Sequence, residues 1–252
     1  MILNQKIIAA NWKMNKTNSE AAEFITKLKA EINNCDDFCK IIIFPSAIAL
    51  ESSARLCENS KIEIGAQNCH WESSGAFTGE ISVDMIKSIG AKYVLVGHSE
   101  RRTYFSEDDE TINKKIKKIL SSNLKPIFCV GENLEYRTNN MAKSVVETQI
   151  KRGLSAIENT KIEDIIIAYE PLWAIGTGRT INCDQLDEIG NIIKKIVYEE
   201  FGFQVRVIYG GSVNSKNAKS FLSLASIDGA LIGGAALDER SFLNIIKTAK
   251  GI

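Results

Sequence analysis

Short runs rich in Ile, Val and Ala recur along the chain, each followed by a longer stretch whose apolar residues keep helical spacing. The runs span 6–11, 40–44, 61–67, 92–97, 124–130, 164–169, 204–209 and 228–232. Most are nearly continuous in apolar residues, which predicts strands buried on both faces, as in a parallel sheet. Between them Ala22, Ile25, Leu28 and Ile32 form one stripe of a helix starting near Thr17 or Ser19. Over 109–121, Ile112, Ile116 and Ile119 make a stripe that leaves out Asn113, Lys114, Lys115, Lys117 and Lys118, so the lysines are expected on a solvated face. Further helical patterns cover 141–157, 185–201, 216–224 and 239–249.

Eight strand-then-helix units follow one another with no linker or low-complexity tract in the 252 residues. That count and length predict a single α/β domain over 1–252, a (β/α)8 barrel of eight parallel strands inside a ring of helices. An open doubly wound sheet is the alternative, but the first strand is not followed by Gly-x-Gly-x-x-Gly.

Composition narrows the function more than the fold. Lys plus Arg is 31 and Asp plus Glu is 31, so a dedicated nucleic-acid or membrane-surface binder is not expected. No apolar stretch approaches the roughly 18 residues of a membrane span, and the amino end does not read as a secretory leader. The six cysteines form no Cys-x-x-Cys pair and only two histidines are present, so no metal site is expected. Reduced thiols in a cytoplasmic protein are the expectation.

In a barrel the chemistry gathers at the carboxyl ends of the strands. Strand one ends Asn11-Trp12-Lys13, strand four Gly97-His98-Ser99-Glu100 and strand six Tyr169-Glu170-Pro171. Asn11 and Lys13 are two apart, so an extended chain would point both side chains the same way and anchor an anionic substrate. His98 precedes a helix start with Ser99 as the expected cap, where positive potential favours a neutral, hydrogen-donating imidazole. His70, in a loop, carries no catalytic expectation. Glu170 emerges from an apolar strand and is placed as a general base. The segment after it, 171–180, is stiff at its start, apolar at its centre and glycine-bearing near its end, which suits a lid. Gly210-Gly211-Ser212 and Gly233-Gly234 follow strands seven and eight, where backbone amides of barrels receive phosphate.

Taken together, Asn11-Trp12-Lys13-Met14-Asn15, Gly97-His98-Ser99-Glu100-Arg101-Arg102 and the segment 168–178 resemble the triosephosphate isomerase family, as do Tyr209-Gly210-Gly211-Ser212-Val213 and Leu231-Ile232-Gly233-Gly234-Ala235. The resemblance runs from Lys6 to Ala249 in family order and implies that family's TIM barrel. It also implies interconversion of dihydroxyacetone phosphate and D-glyceraldehyde 3-phosphate through an enediolate. By matching positions, Glu170 carries the proton, His98 acts as electrophile and Lys13 supplies positive charge, with Asn11 contacting substrate. Glu100 supports them, while Gly176, Ser212, Gly233 and Gly234 contact the phosphate. Neither metal nor redox cofactor is implied, and Cys129 matches a cysteine near the base, with a buried apolar role equally open. The loop 68–80, with Trp71 and Phe77, resembles a loop that interdigitates in a homodimer.

Departures from the family pattern are few. Met14 stands where some relatives hold Cys, Arg179 where the lid often has Lys, and Ser106 where glycine is common, which leaves the local turn open. Two other readings remain: a different phosphosugar barrel enzyme, and a non-catalytic phosphate-binding barrel serving as a binding or surface protein.

Overall fold

A computed structural model of the chain describes residues 5–32, 39–175, 180–250 and 252. Eight parallel strands close a barrel in chain order: β1 (Lys6–Asn11), β2 (Cys39–Phe44), β3 (Ile62–Ala66), β4 (Tyr93–Val96), β5 (Lys125–Val130), β6 (Ile166–Tyr169), β7 (Arg206–Tyr209) and β8 (Gly229–Ile232). Closure is made at β1, where Ala9 pairs with Ile42 of β2 on one side and Leu231 of β8 on the other. The open doubly wound alternative is thereby excluded.

Residue alternation sorts each strand into two cores. Ile7, Ala9, Ile42, Phe44, Ile127 and Cys129 point into the barrel, joined there by Leu95, Ala168, Ile208 and Leu231. Ile8, Ala10, Ile41, Ile43, Val94 and Val96 point outward and pack with the helices. Burial on both faces is why the strands read as unbroken apolar runs.

Where the sequence pattern and the structure differ, local turns explain it. The run 92–97 shortens to Tyr93–Val96 because Gly97, at φ 70°, turns the chain out of the sheet. The run 164–169 shortens because a 3-10 turn, Asn159–Asp164, precedes the strand. Helices Asn18–Ile32, Asp109–Ser121 and Glu239–Ala249 lie where the stripes place them. The pattern over 141–157 resolves into a shorter helix, Ala142–Gly153, and that over 216–224 into Ala218–Leu222. The 185–201 pattern belongs to Cys183–Phe201, which starts earlier because the Asn182 side chain accepts the Gln185 N–H as a cap. Helices Ala47–Leu56 and Val83–Ser88 are not predicted by the pattern, the second being too short to show a stripe.

One lysine of the 109–121 helix departs from its expected place. Lys115 is buried, not solvated; its ammonium meets the buried Glu107 carboxylate and donates to Asn68 Oδ1 at 2.8 Å. A charge leaves water on these terms only with its partners in place. The open question at Ser106 also has an answer: it holds a left-handed φ of 52°, the conformation glycine adopts without strain.

Candidate active site

The carboxyl ends of β1, β4, β6, β7 and β8 surround one cavity of about 210 Å³, lined by Asn11, Lys13, His98, Glu170, Ser212, Gly233 and Gly234 among others. Of the sequence-predicted contacts, only Gly176 lies outside the described residues. Glu100 stands just behind, reaching the cavity through Lys13.

Lys13 reaches the cavity by a different route from the one its spacing suggests. β1 ends at Asn11, and Lys13 adopts a left-handed φ of 53° instead of an extended one. Two contacts hold that turn: the Lys13 N–H donates to Asn11 Oδ1 at 3.0 Å, and Gln67 Nε2 donates to the Lys13 carbonyl at 2.9 Å. The same Gln67 amide also donates to the Phe44 carbonyl at 2.9 Å, fixing the turn to the end of β2. Lys13 Nζ then donates to Glu100 Oε1 at 2.6 Å, and its stem lies against Gly233.

The helix after β4, Ser99–Tyr104, is capped by His98 itself and not by Ser99. His98 Nδ1 accepts the Glu100 N–H at 3.3 Å, an orphan donor of the first turn. Glu100 Oε2, at 3.6 Å from the same nitrogen, is too far for a hydrogen bond. With the Nδ1 lone pair used, the hydrogen-bond network assigns the ring proton to Nε2, which stands 3.2 Å from Glu170 Oε1. The imidazole is thus a neutral donor aimed into the cavity.

Glu170 is 2% exposed, and its Oε2 accepts the Ser99 N–H at 2.9 Å. Two glycines make room for it. A Cβ on Gly131 would lie 1.8 Å from the Glu170 carbonyl oxygen, and one on Gly210 would lie 2.8 Å from Glu170 Cγ. Cys129 is wholly buried below the carboxylate. Burial first, and then the Glu170 charge, push its thiol well above the ordinary range, so it stays neutral beside the carboxylate.

Of the segment 171–180 expected as a lid, residues 176–179 lie outside the described residues; its start meets residues that the strand-end reading missed. Glu132, two residues past β5, accepts from Tyr169 Oη at 3.0 Å and Trp173 Nε1 at 3.0 Å, with Arg137 Nε at 3.1 Å. Ser212 Oγ donates to the Ala174 carbonyl at 2.6 Å, so the turn after β7 is tied to the segment that follows β6. Arg102 was missed too: it donates from Nε to the Gly97 carbonyl at 3.0 Å and pairs with Asp109 at 2.7 Å. Among the described residues no group of three His, Cys, Asp or Glu side chains is placed to hold a metal ion, and no helix is long and apolar enough to cross a membrane.

A closed (β/α)8 barrel with a carboxylate, a neutral imidazole and an ammonium facing a glycine-edged cavity defines a class: barrel enzymes that move a proton on a small anionic substrate. The comparisons with known proteins make this specific. The family model described as Triosephosphate isomerase matches residues 6–249. A triosephosphate isomerase of Dictyoglomus turgidum is 46% identical over 250 residues, covering 98% of this chain and 100% of that one. Another, of Chlorobium phaeovibrioides, is 45% identical over 251 residues, with coverage of 98% and 100%. The crystal structure of triosephosphate isomerase from Bartonella henselae superposes with a TM-score of 0.87 at 35% identity, covering 97% of this chain and 98% of that one. The chain belongs to the triosephosphate isomerase family.

Proposed function

We propose that Glu170, His98 and Lys13 carry out the triose-phosphate isomerase reaction of this chain, the interconversion of dihydroxyacetone phosphate and D-glyceraldehyde 3-phosphate. The observation that carries this reading is the convergence of the three side chains on one cavity edged by Ser212, Gly233 and Gly234. Glu170 takes a proton from the carbon beside the substrate carbonyl. His98 Nε2–H and the Lys13 ammonium stabilise the negative charge that develops on oxygen. The enediolate accepts the proton back from Glu170 on the neighbouring carbon. One carbon is oxidised as its neighbour is reduced, so proton and electron pair stay within the substrate and no cofactor is called for.

Glu170 hydrogen-bonded to the Ser99 amide is parked. To reach substrate carbon it must leave that amide, and arrival of the phosphate against Gly176, Ser212, Gly233 and Gly234, with closure of the lid, supplies the drive. Residues 1–252 are read as one catalytic domain.

A homodimer completes this reading. Met14 is 96% exposed and Phe105 66%, and both line a cavity of about 450 Å³ whose walls include Asn11, Lys13 and His98. A loop 68–80 from a second copy is the occupant proposed for that cavity, its exposed Phe77 burying apolar surface behind Lys13. Among the described residues, the free thiols of Cys57, Cys69, Cys129 and Cys183 support a reducing, cytoplasmic setting.

A coupled assay on purified protein, following dihydroxyacetone phosphate formed from glyceraldehyde 3-phosphate, tests the reaction. Rapid conversion is expected, and absence of conversion by folded protein would contradict the reading. Sedimentation should give twice the chain mass; a stable, fully active monomer would refute the dimer.

A further inference from the structure

Between β1 and the helix Asn18–Ile32 the chain passes twice through left-handed backbone, at Lys13 and at Lys16, whose φ is 68°. Neither residue is glycine, so each conformation needs contacts to offset its strain. The contacts of Lys13 lie in the active site. Those of Lys16 lead elsewhere. Its Nζ donates to the Leu237 carbonyl at 2.8 Å, 221 residues away in sequence. The same ammonium sits 4.6 Å from the Phe24 ring centroid and 5.4 Å from that of Trp12. Trp12 is wholly buried, meets Phe24 edge-on, and donates its Nε1–H to the Ala236 carbonyl at 3.1 Å.

Ala236 and Leu237 are the exit of the 3-10 turn Gly234–Ala236. Inside the turn Ala236 N–H donates to the Gly233 carbonyl at 2.8 Å and Leu237 N–H to the Gly234 carbonyl at 3.1 Å. Beyond Ala235, the carbonyls of Ala236 and Leu237 stand at the exit of the turn, and these are the ones that Trp12 and Lys16 take. At the entrance, Gly233, Gly234 and Ala235 line the cavity, with the Lys13 stem against Gly233. The segment after β1 therefore straddles the turn: Lys13 stands at its entrance, Trp12 and Lys16 at its exit.

We propose that Lys16, acting with Trp12, is a positioning residue for the phosphate site, pinning the exit of the Gly234–Ala236 turn so that its entrance amides are held in place for the anion. Lys16 does not touch substrate. Its cation answers the negative end of the turn and its stem braces Trp12, so the amide dipoles at the other end stay aligned. The inference rests on the reading that Gly233 and Gly234 receive the substrate phosphate.

The test uses Lys16→Met, which keeps the stem and removes the cation and hydrogen bond, and Lys16→Arg, which keeps both. Each variant is assayed with glyceraldehyde 3-phosphate and with unphosphorylated glyceraldehyde, and inorganic phosphate is titrated as a competitive ligand. Lys16→Met should weaken phosphate binding and lower kcat/KM for the phosphorylated substrate by about fivefold, the worth of one net hydrogen bond. Turnover of glyceraldehyde should be unchanged, and Lys16→Arg should restore both properties to within about twofold. Unchanged phosphate affinity in Lys16→Met would overturn the inference, as would equal losses on the two substrates, which mark a general structural role. If the wild-type protein isomerises the triose phosphate but inorganic phosphate does not compete, the phosphate assignment itself fails.

Discussion

Two glutamates at neighbouring strand ends are equally hidden from water, Glu132 after β5 at 1% exposure and Glu170 after β6 at 2%. Their partners differ completely. Glu132 meets a guanidinium, a phenol and an indole N–H, all fixed by the surrounding fold. Burial and the Glu132 charge hold the Tyr169 phenol well above its ordinary range, so it stays a donor. Glu170 meets one backbone amide, a neutral imidazole and a neutral thiol, with no lysine or arginine paired to it among the described residues. Burial alone does not make a base. A carboxylate whose charge is answered by a cation is structural, whereas one held by neutral donors keeps its charge available for a proton.

The largest effect that sharpens this contrast is expected at Glu170. Glu170→Asp withdraws the carboxylate by one methylene, and kcat should fall about 100-fold or more while KM changes little. Equal changes in both constants would reject the base assignment. Glu132→Gln should behave in the opposite sense: unfolding free energy drops by about 3 kcal/mol because Arg137 is left uncompensated, while kcat stays within about tenfold. Denaturant titration beside steady-state kinetics separates the two effects.

Gly210→Ala probes the room around Glu170 without touching its charge. The new Cβ would lie 2.8 Å from Glu170 Cγ, so the side chain must shift, and kcat should fall about tenfold. An unaltered kcat would mean that the position of Glu170 is not critical. The smallest effect is expected at Ser106, far from the contrast. Ser106→Gly relieves a φ of 52° and should raise stability by about 0.5 kcal/mol with no change in kcat, part of the gain being offset by the freer unfolded chain.

The barrel was legible because each strand is buried on both faces and most helices carry an apolar stripe; Asp109–Ser121, capped by Asp108, lies where its stripe places it. Strand ends were less legible. Gly97 leaves the sheet through a left-handed backbone that hydrophobicity does not encode. The reaction centre was readable by taking only residues at strand ends, and the same rule extended to Val130-Gly131-Glu132 would have reached Glu132. It would also have reached Gln67, the last residue of the run 61–67, but not Lys16 or Arg102, and it says nothing of what any of the three meets. Each acts on backbone carbonyls of another segment, and a carbonyl has no signature in the residue that bears it. The left-handed turn at Lys13 and the capping role of His98 were hidden for the same reason: both depend on which amide a side chain meets.

Isotope exchange reads directly whether Glu170 carries the proton. Dihydroxyacetone phosphate would be incubated with the wild-type protein and with Glu170→Gln in deuterium oxide, following label at the carbon beside the carbonyl. Rapid incorporation is expected with the wild type and a loss of about 100-fold or more with Glu170→Gln, inorganic phosphate still binding to both. Incorporation at the wild-type rate by Glu170→Gln would contradict the role of Glu170 as proton carrier.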